Sequence, residues 1–344
     1  MKLYLDNGYA DMSAIRHCGY NAIFVYGGRA TGKTYGSLKM VVEENEKFIY
    51  MRRTQAQCDL ISKPEFSPFK SLNNDGICSI GCKPLSKYAA GFYEQQFDEN
   101  GNVEYVGEPY GFSCALSTIS NMRGFDASDV TLLIYDEFIP EKHERPIKNE
   151  GAALLNAYET INRNRELKGA KPLTLLCLAN ANNLANPIFA ELKLIDKVTK
   201  MSAKGQTQLF DNKRGIAVFA LSDSKISAAK RNTALYRLAE GTDFSEMSLN
   251  NQFTADHPVN IAAANLKEYR PICAIGEICI YRHKSQDEYY VCAHKSGSPE
   301  TFDYTEYGIK QFQSKYLWLR AAYIQSKIYF QSYSCEILLT TCLK

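Results

Sequence analysis

The 344-residue sequence predicts an α/β protein with a phosphate-binding loop near its start, and three observations carry that prediction. Short apolar runs at residues 21–26 (NAIFVY), 47–51 (KFIYM), 130–135 (VTLLIY) and 173–178 (LTLLCL) alternate with segments of helical periodicity, the signature of a mostly parallel sheet. The stretch GGRATGKT at residues 27–34 matches G-x-x-x-x-G-K-[ST], follows a predicted strand and opens a predicted helix. The third apolar run ends in an acidic pair, Asp136 and Glu137.

Taken in order, residues 21–26 form a buried strand, 33–42 a helix, and 47–51 a second strand ended by Arg52 and Arg53. Residues 91–116 alternate aromatic and polar side chains around Asp98-Glu99-Asn100-Gly101, which predicts a hairpin or meander. A strand at 130–135 is followed by a helix over 149–166, with Leu154, Leu155, Tyr158 and Ile161 on one stripe. The strand at 173–178 leads into Asn180, Asn182 and Asn183. The pattern loosens after about residue 220, where 224–241 reads as one helix bearing Lys225, Lys230, Arg231 and Arg237. Strands in ICAIGEICIYR and EYYVCAH then precede a helix near 314–329. The simplest division is a nucleotide-binding domain over 1–220, a helical linker over 221–257 and a C-terminal domain over 258–344.

Bulk composition narrows the function. A formal net charge of +2 means that any nucleic-acid contact rests on local basic patches. The apolar runs fall far short of the ~20 residues that span a bilayer, so no membrane association is expected. Residues 1–14 lack the pattern of an export signal, and the 11 cysteines are scattered without a disulfide framework, which together predict a reducing cytoplasm. Cys273, Cys279, His283, Cys292 and His294 match no finger or ribbon spacing, so these cysteines are expected to act as small hydrophobes.

The loop residues Gly27, Gly28, Arg29, Ala30, Thr31, Gly32, Lys33 and Thr34 suit a nucleotide's phosphates. Glycines let backbone N–H groups curl around the anion at the positive end of a helix, and Lys33 reaches the β- and γ-phosphates. Tyr35, the next residue, is counted with the nucleotide contacts. The Thr34 hydroxyl and Asp136 are the expected Mg²⁺ ligands, and Glu137 is placed to orient and deprotonate a water. No N-K-x-D guanine signature is present, so ATP is the expected nucleotide. Arg29 either faces the γ-phosphate or pairs with a neighbouring acid. Arg163, with Arg165 at the end of its helix, lies off the apolar stripe, where it serves as an arginine finger for a neighbouring subunit or as a solvated helix-end cation. Asn180 senses the γ-phosphate or closes a turn. Lys193, Lys197, Lys200 and Lys204 recur at helix-like spacing; with the linker cations they either line a DNA pore or form a solvated face.

Beyond these motifs the sequence resembles the DNA-packaging (encapsidation) ATPases of phi29-like podoviruses, a terminase-related group with FtsK/HerA-like motors. The resemblance lies in FIYMRR (48–53), IYDEFI (134–139), NEGAALLNAYETINRNRE (149–166), LCLANANNLANPIF (176–189) and GTDFSEMSLNNQF (241–253), in family order over about three-quarters of the chain. It implies a RecA-like P-loop ATPase domain of the additional-strand, catalytic-glutamate (ASCE) type, with Lys33, Asp136 and Glu137 on the ATPase positions and Arg163 as the trans-acting arginine. It further implies a homomeric ring, a pentamer in the family, on the portal of an empty prohead, moving double-stranded DNA inward from the host cytoplasm and absent from the finished virion. The C-terminal domain would be a small RNase H-like fold that docks on the prohead, in some relatives through a packaging RNA. The strand ending Tyr281-Arg282-His283 carries no aspartate where a nuclease would need one, and Asp287, Glu288 and Asp303 fall in polar, loop-like stretches, so no DNA cleavage is expected. A helicase or other RecA-like translocase, and a non-catalytic nucleotide-switched scaffold, are the competing classes; the scaffold would typically lack Glu137.

Overall fold

The computed structural model describes residues 1–122, 127–140, 144, 147, 149–180, 186–222, 225–242, 260–293 and 297–343. The chain divides into two compact units, Met1–Leu192 with Lys200–Thr254, and Lys193–Thr199 with Ala255–Lys344.

The first unit is built on nine strands: β1 (Ala22–Gly27), β2 (Phe48–Arg52), β3 (Ile80–Pro84), β4 (Ala89–Phe97), β5 (Val103–Ala115), β6 (Leu132–Asp136), β7 (Thr174–Asn180), β8 (Gln208–Asp211) and β9 (Ile216–Leu221). They form one sheet in the order β3-β4-β5-β2-β6-β7-β1-β9-β8. The six strands from β5 to β9 in that order are parallel, and antiparallel pairs close both edges. Every residue of β6 and β9 is buried, as strands covered on both faces require, whereas edge strand β8 is not. β7 is inserted between β1 and β6, so the strands that carry the glycine loop and the acidic pair are separated by one further strand.

One face packs Ile23, Val25, Leu38, Tyr50, Ile134 and Phe219 into the main core. On the other, Phe24, Phe138 and Phe189 meet with ring centroids 5.5–5.7 Å apart. Gly27 ends β1 where a Cβ would fall 2.6 Å from the Leu221 Cβ and 2.8 Å from its carbonyl oxygen; only glycine permits that approach to β9. The hairpin or meander expected over 91–116 is the pair β4–β5, which β3 extends on its outer edge; the turn is closed by the Asp98 carboxylate accepting from the Asn100 and Asn102 amides at 2.8 and 2.7 Å.

The helix read over 149–166 runs Glu150–Asn162, because Arg163 and Asn164 take left-handed φ values of 47° and 56°. Its buried stripe is Leu154, Ala157 and Ile161; Leu155 stands about 100° around the helix from Leu154 and is 44% exposed. The single basic helix expected over 224–241 is two, Lys225–Lys230 and Ala234–Leu238, with the Thr233 hydroxyl bonded to the Lys230 carbonyl between them. Ser224 and residues 243–253 of the GTDFSEMSLNNQF block lie outside the described residues.

The second unit holds β10 (Asn260–Ile261), β11 (Tyr269–Ile275), β12 (Ile278–His283), β13 (Tyr289–Cys292), β14 (Thr301–Phe302) and β15 (Ile328–Phe330). They form a mixed sheet in the order β10-β15-β13-β12-β11-β14. ICAIGEICIYR therefore folds as two antiparallel strands, with Gly276 turning at φ +52°; a Cβ there would lie 1.7 Å from the Tyr304 ring. The helix expected near 314–329 is instead Glu306–Tyr316, then Leu319–Ile324, then β15. Ile328 and Phe330 alternate into the core beside β13, so sheet pairing outweighs local helical pattern there. The helix Tyr333–Cys342, capped by Ser332, closes this core with Cys335, Leu339 and Cys342. Among the described residues, no helix is long and apolar enough to cross a membrane.

Candidate nucleotide-binding site

The loop leaves β1 at Gly27 and enters the helix Lys33–Glu43 through Gly32, left-handed at φ +86°. The Lys33 side chain, 7% exposed, folds back under the loop. Its ammonium donates to the Gly28 and Gly27 carbonyls at 2.8 and 3.1 Å and to the Thr31 hydroxyl at 3.3 Å, with the Asn180 amide oxygen 3.5 Å away. Burial lowers its pKa to about 8; Asp136 opposes that shift, and Lys230 and Arg29 add to it. The loop is braced by the Thr31 hydroxyl on the Gly28 carbonyl at 3.1 Å. The Ala10 amide, from the N-terminal arm, donates to the Thr31 carbonyl at 2.9 Å.

Asp136 ends β6 and is 5% exposed. Its Oδ2 accepts from the Thr34 hydroxyl at 3.0 Å and from the Tyr50 hydroxyl at 2.6 Å, and its Oδ1 accepts from the Glu137 amide at 3.0 Å. Burial and the Asp136 charge push the Tyr50 phenol well above its ordinary range, so it stays a donor. Glu137 turns out of the strand at φ +57°, a strained conformation for a side-chain-bearing residue. Its carboxylate accepts from Arg52, whose guanidinium also stands 3.7 Å from Asp136.

These residues fit a nucleotide and its metal. An 11-residue helix begins at the loop, a desolvated ammonium lies beneath it, and the Thr34 and Asp136 oxygens that meet at its base are hard donors of the kind Mg²⁺ takes.

Arg53, one residue on, is fully buried. It donates to both Glu150 carboxylate oxygens at 2.9 Å and to Glu144 at 3.0 Å; the Tyr135 hydroxyl adds a 2.8 Å bond to Glu150. This pair ties the residue after β2 to the start of the helix Glu150–Asn162. Removing one partner of such a pair strands a buried charge. Arg53→Ala is therefore expected to lose about 3–5 kcal/mol of stability, read by urea unfolding, and Arg53→Lys, which cannot make the fork, is expected to restore little of it.

The remaining candidates fall in different places. Asn180 ends β7 directly opposite Gly27 in register. Arg29 is exposed on the loop, and its carbonyl accepts from Lys230 at 2.6 Å. Ala30 beside it is left-handed at φ 60°. The Tyr35 hydroxyl donates to Asp75 at 2.6 Å, a bond that raises its pKa to about 12. Arg163 is exposed at the end of its helix, whereas Arg165 binds the Ala127 carbonyl at 2.7 Å and the Val130 carbonyl, tying that helix end to the chain entering β6. Lys193, Lys197, Lys200 and Lys204 are all exposed, but only Lys197 and Lys200 lie on the helix Ile195–Ala203. Asn182, Asn183 and His294 are outside the described residues. In the second unit Cys273, Cys279 and Cys292 are buried, Asp287 pairs with Lys327 at 2.7 Å, and Asp303 accepts from the Thr305 amide at 3.1 Å. Among the described residues no group of three or more His, Cys, Asp or Glu side chains is arranged to hold a metal ion.

Tyr50, Arg52, Arg53 and Glu150 were not recognised as site residues from sequence. The available signal was the arginine pair ending an apolar strand; what it lacked was the sheet order, which sets Met51 opposite Tyr135 and so brings Arg52 to the acidic pair.

A glycine loop on one parallel strand, an Asp-Glu pair on the next strand but one, and an added strand between them define a P-loop NTPase fold of the additional-strand type. The model of podovirus DNA encapsidation proteins (Gp16) matches residues 82–276, and this chain belongs to that family. The DNA packaging protein of Bacillus phage phi29 is 31% identical over 245 residues, 69% of this chain and 64% of that protein. That of Bacillus phage B103 is 30% identical over 244 residues, 69% of this chain and 66% of its own length. The matched stretch thus spans just under two thirds of these relatives. Among solved structures, the phi28 gp11 DNA packaging motor aligns with a TM-score of 0.66 at 18% identity, covering 98% of this chain and 99% of that one. The bacteriophage phi29 viral genome packaging motor assembly aligns with the same score at 20% identity over the whole of both chains. These likenesses establish a shared fold.

Proposed function

We propose that this chain is an ATP-hydrolysing motor subunit that drives double-stranded DNA through the portal into a viral prohead. The observation that carries the ATPase part is the 3.0 Å contact between the Thr34 hydroxyl and Asp136, which joins the loop to the acidic strand with Glu137 as the next residue. Membership of the encapsidation family supports the DNA-packaging part.

In this reading the loop from Gly27 to Thr34 binds the phosphates through backbone N–H groups, and Lys33 turns from the loop carbonyls to the β- and γ-phosphates. Thr34 and Asp136 hold Mg²⁺, which when bound offsets negative charge on the phosphate oxygens. Glu137 orients the attacking water and takes its proton; Tyr50 holds Asp136 in place, and Arg52 bridges Asp136 and Glu137. Arg163 of a neighbouring copy meets charge developing on the γ-phosphoryl oxygens, and Asn180, beside Lys33, senses the loss of that phosphate. Residues 1–220 form the ATPase domain, 221–257 the linker, and 258–344 an RNase H-like docking domain without nuclease activity. The motor is a ring, taken as a pentamer, that works in the host cytoplasm on the prohead, contacts a packaging RNA where one is present, and leaves before the virion is finished.

The test is ATP turnover by the purified chain with and without duplex DNA. Turnover is expected to rise with duplexes of any sequence, with an affinity that falls steeply as salt increases, since a packaging motor grips phosphates. Absence of ATP turnover with DNA and portal both supplied would overturn the reading.

A further inference from the structure

The phosphate loop is also held from outside, by a residue to which the nucleotide reading gives no role. Lys230 is the last residue of the helix Lys225–Lys230, and its ammonium donates to the Arg29 carbonyl at 2.6 Å while lying 5.7 Å from the centre of the Tyr236 ring. The other end of that helix is seated on the N-terminal arm, with the Lys225 ammonium 3.4 Å from the Asp6 carbonyl. Three cationic side chains, Arg29, Lys33 and Lys230, therefore gather at the loop. Burial, and after it the neighbouring Arg29 charge, disfavour the charged form of Lys230. Like charges held together in this way are relieved by an anion, and more by a triphosphate than by a diphosphate.

We propose that Lys230 contacts the terminal phosphate of a bound nucleoside triphosphate and so reads whether that phosphate is present. This rests on the nucleotide reading of the loop. An ammonium has three donors, so Lys230 keeps the Arg29 carbonyl while a second N–H turns to a phosphate oxygen. Because Lys230 belongs to the helix pair Lys225–Lys230 and Ala234–Leu238, loss of the terminal phosphate frees one tether of the segment that precedes residue 242. Lys230 is thus assigned to the nucleotide and not to a DNA-lining surface.

The experiment compares the full-length protein with Lys230→Gln and Lys230→Arg, titrating a fluorescent non-hydrolysable ATP analogue and fluorescent ADP. Lys230→Gln is expected to weaken the triphosphate about tenfold, the scale of one charge-assisted hydrogen bond, and ADP by less than about twofold. Lys230→Arg is expected to keep the wild-type ratio of the two affinities. Retained ADP affinity shows that the variants are folded. If the wild type binds neither nucleotide, the reading of the loop fails. If it binds both and Lys230→Gln shifts neither, or both equally, the loop reading stands and the role of Lys230 is overturned.

Discussion

Glu137→Gln is expected to stop ATP turnover while leaving nucleotide binding in place. Glutamine keeps the size of the side chain, its seat after β6 and an oxygen for Arg52, but it cannot accept a proton from water. A positioned general base contributes about 10²–10⁴-fold, so kcat should fall by that factor. The affinity for a fluorescent ATP analogue should stay within a few-fold, since Lys33 and the Thr34–Asp136 contact are left unchanged. Turnover near the wild-type rate would remove Glu137 from the mechanism and point to another group as the base.

Arg163→Ala is expected to have a comparable or larger effect. An arginine finger supplied to a neighbouring site is worth about 10³–10⁵ in rate, equivalent to about 4–7 kcal/mol of transition-state stabilisation. Arg163 is suited to that task by being exposed on a left-handed residue at its helix end. The variant alone should bind ATP normally and hydrolyse it slowly. A mixture of Arg163→Ala and Glu137→Gln copies should recover part of the lost turnover, because one kind of interface then joins an intact finger to an intact base. A mixture no more active than either variant, under conditions where the copies assemble together, would rule out action in trans.

The loop from Gly27 to Thr34 and the pair Asp136 and Glu137 were legible because their chemistry is local: a turn that needs glycines, and a strand that must end where its carboxylates begin. The hairpin β4–β5 was legible for the same reason, its register being set by the turn at Asp98. The region after residue 220 was less legible. The run at 328–330 continues a helical pattern from the residues before it, and it is a strand because β13 offers a pairing partner nearly forty residues earlier in the chain. Likewise Leu155 looked like core until the helix's actual packing face put Leu154, Ala157 and Ile161 inside.

By itself the sequence determined the α/β class, the phosphate loop, the acidic pair and the apolar strands that carry them, since each depends on residues close together in the chain. Tertiary structure alone decided that β7 separates loop from carboxylates, that Arg52 rests on Glu137, that Arg53 is buried against Glu150, and that Lys230 reaches the loop from two hundred residues away. Those contacts depend on strand order and on which charges find partners once water is excluded, and neither is written in local spacing.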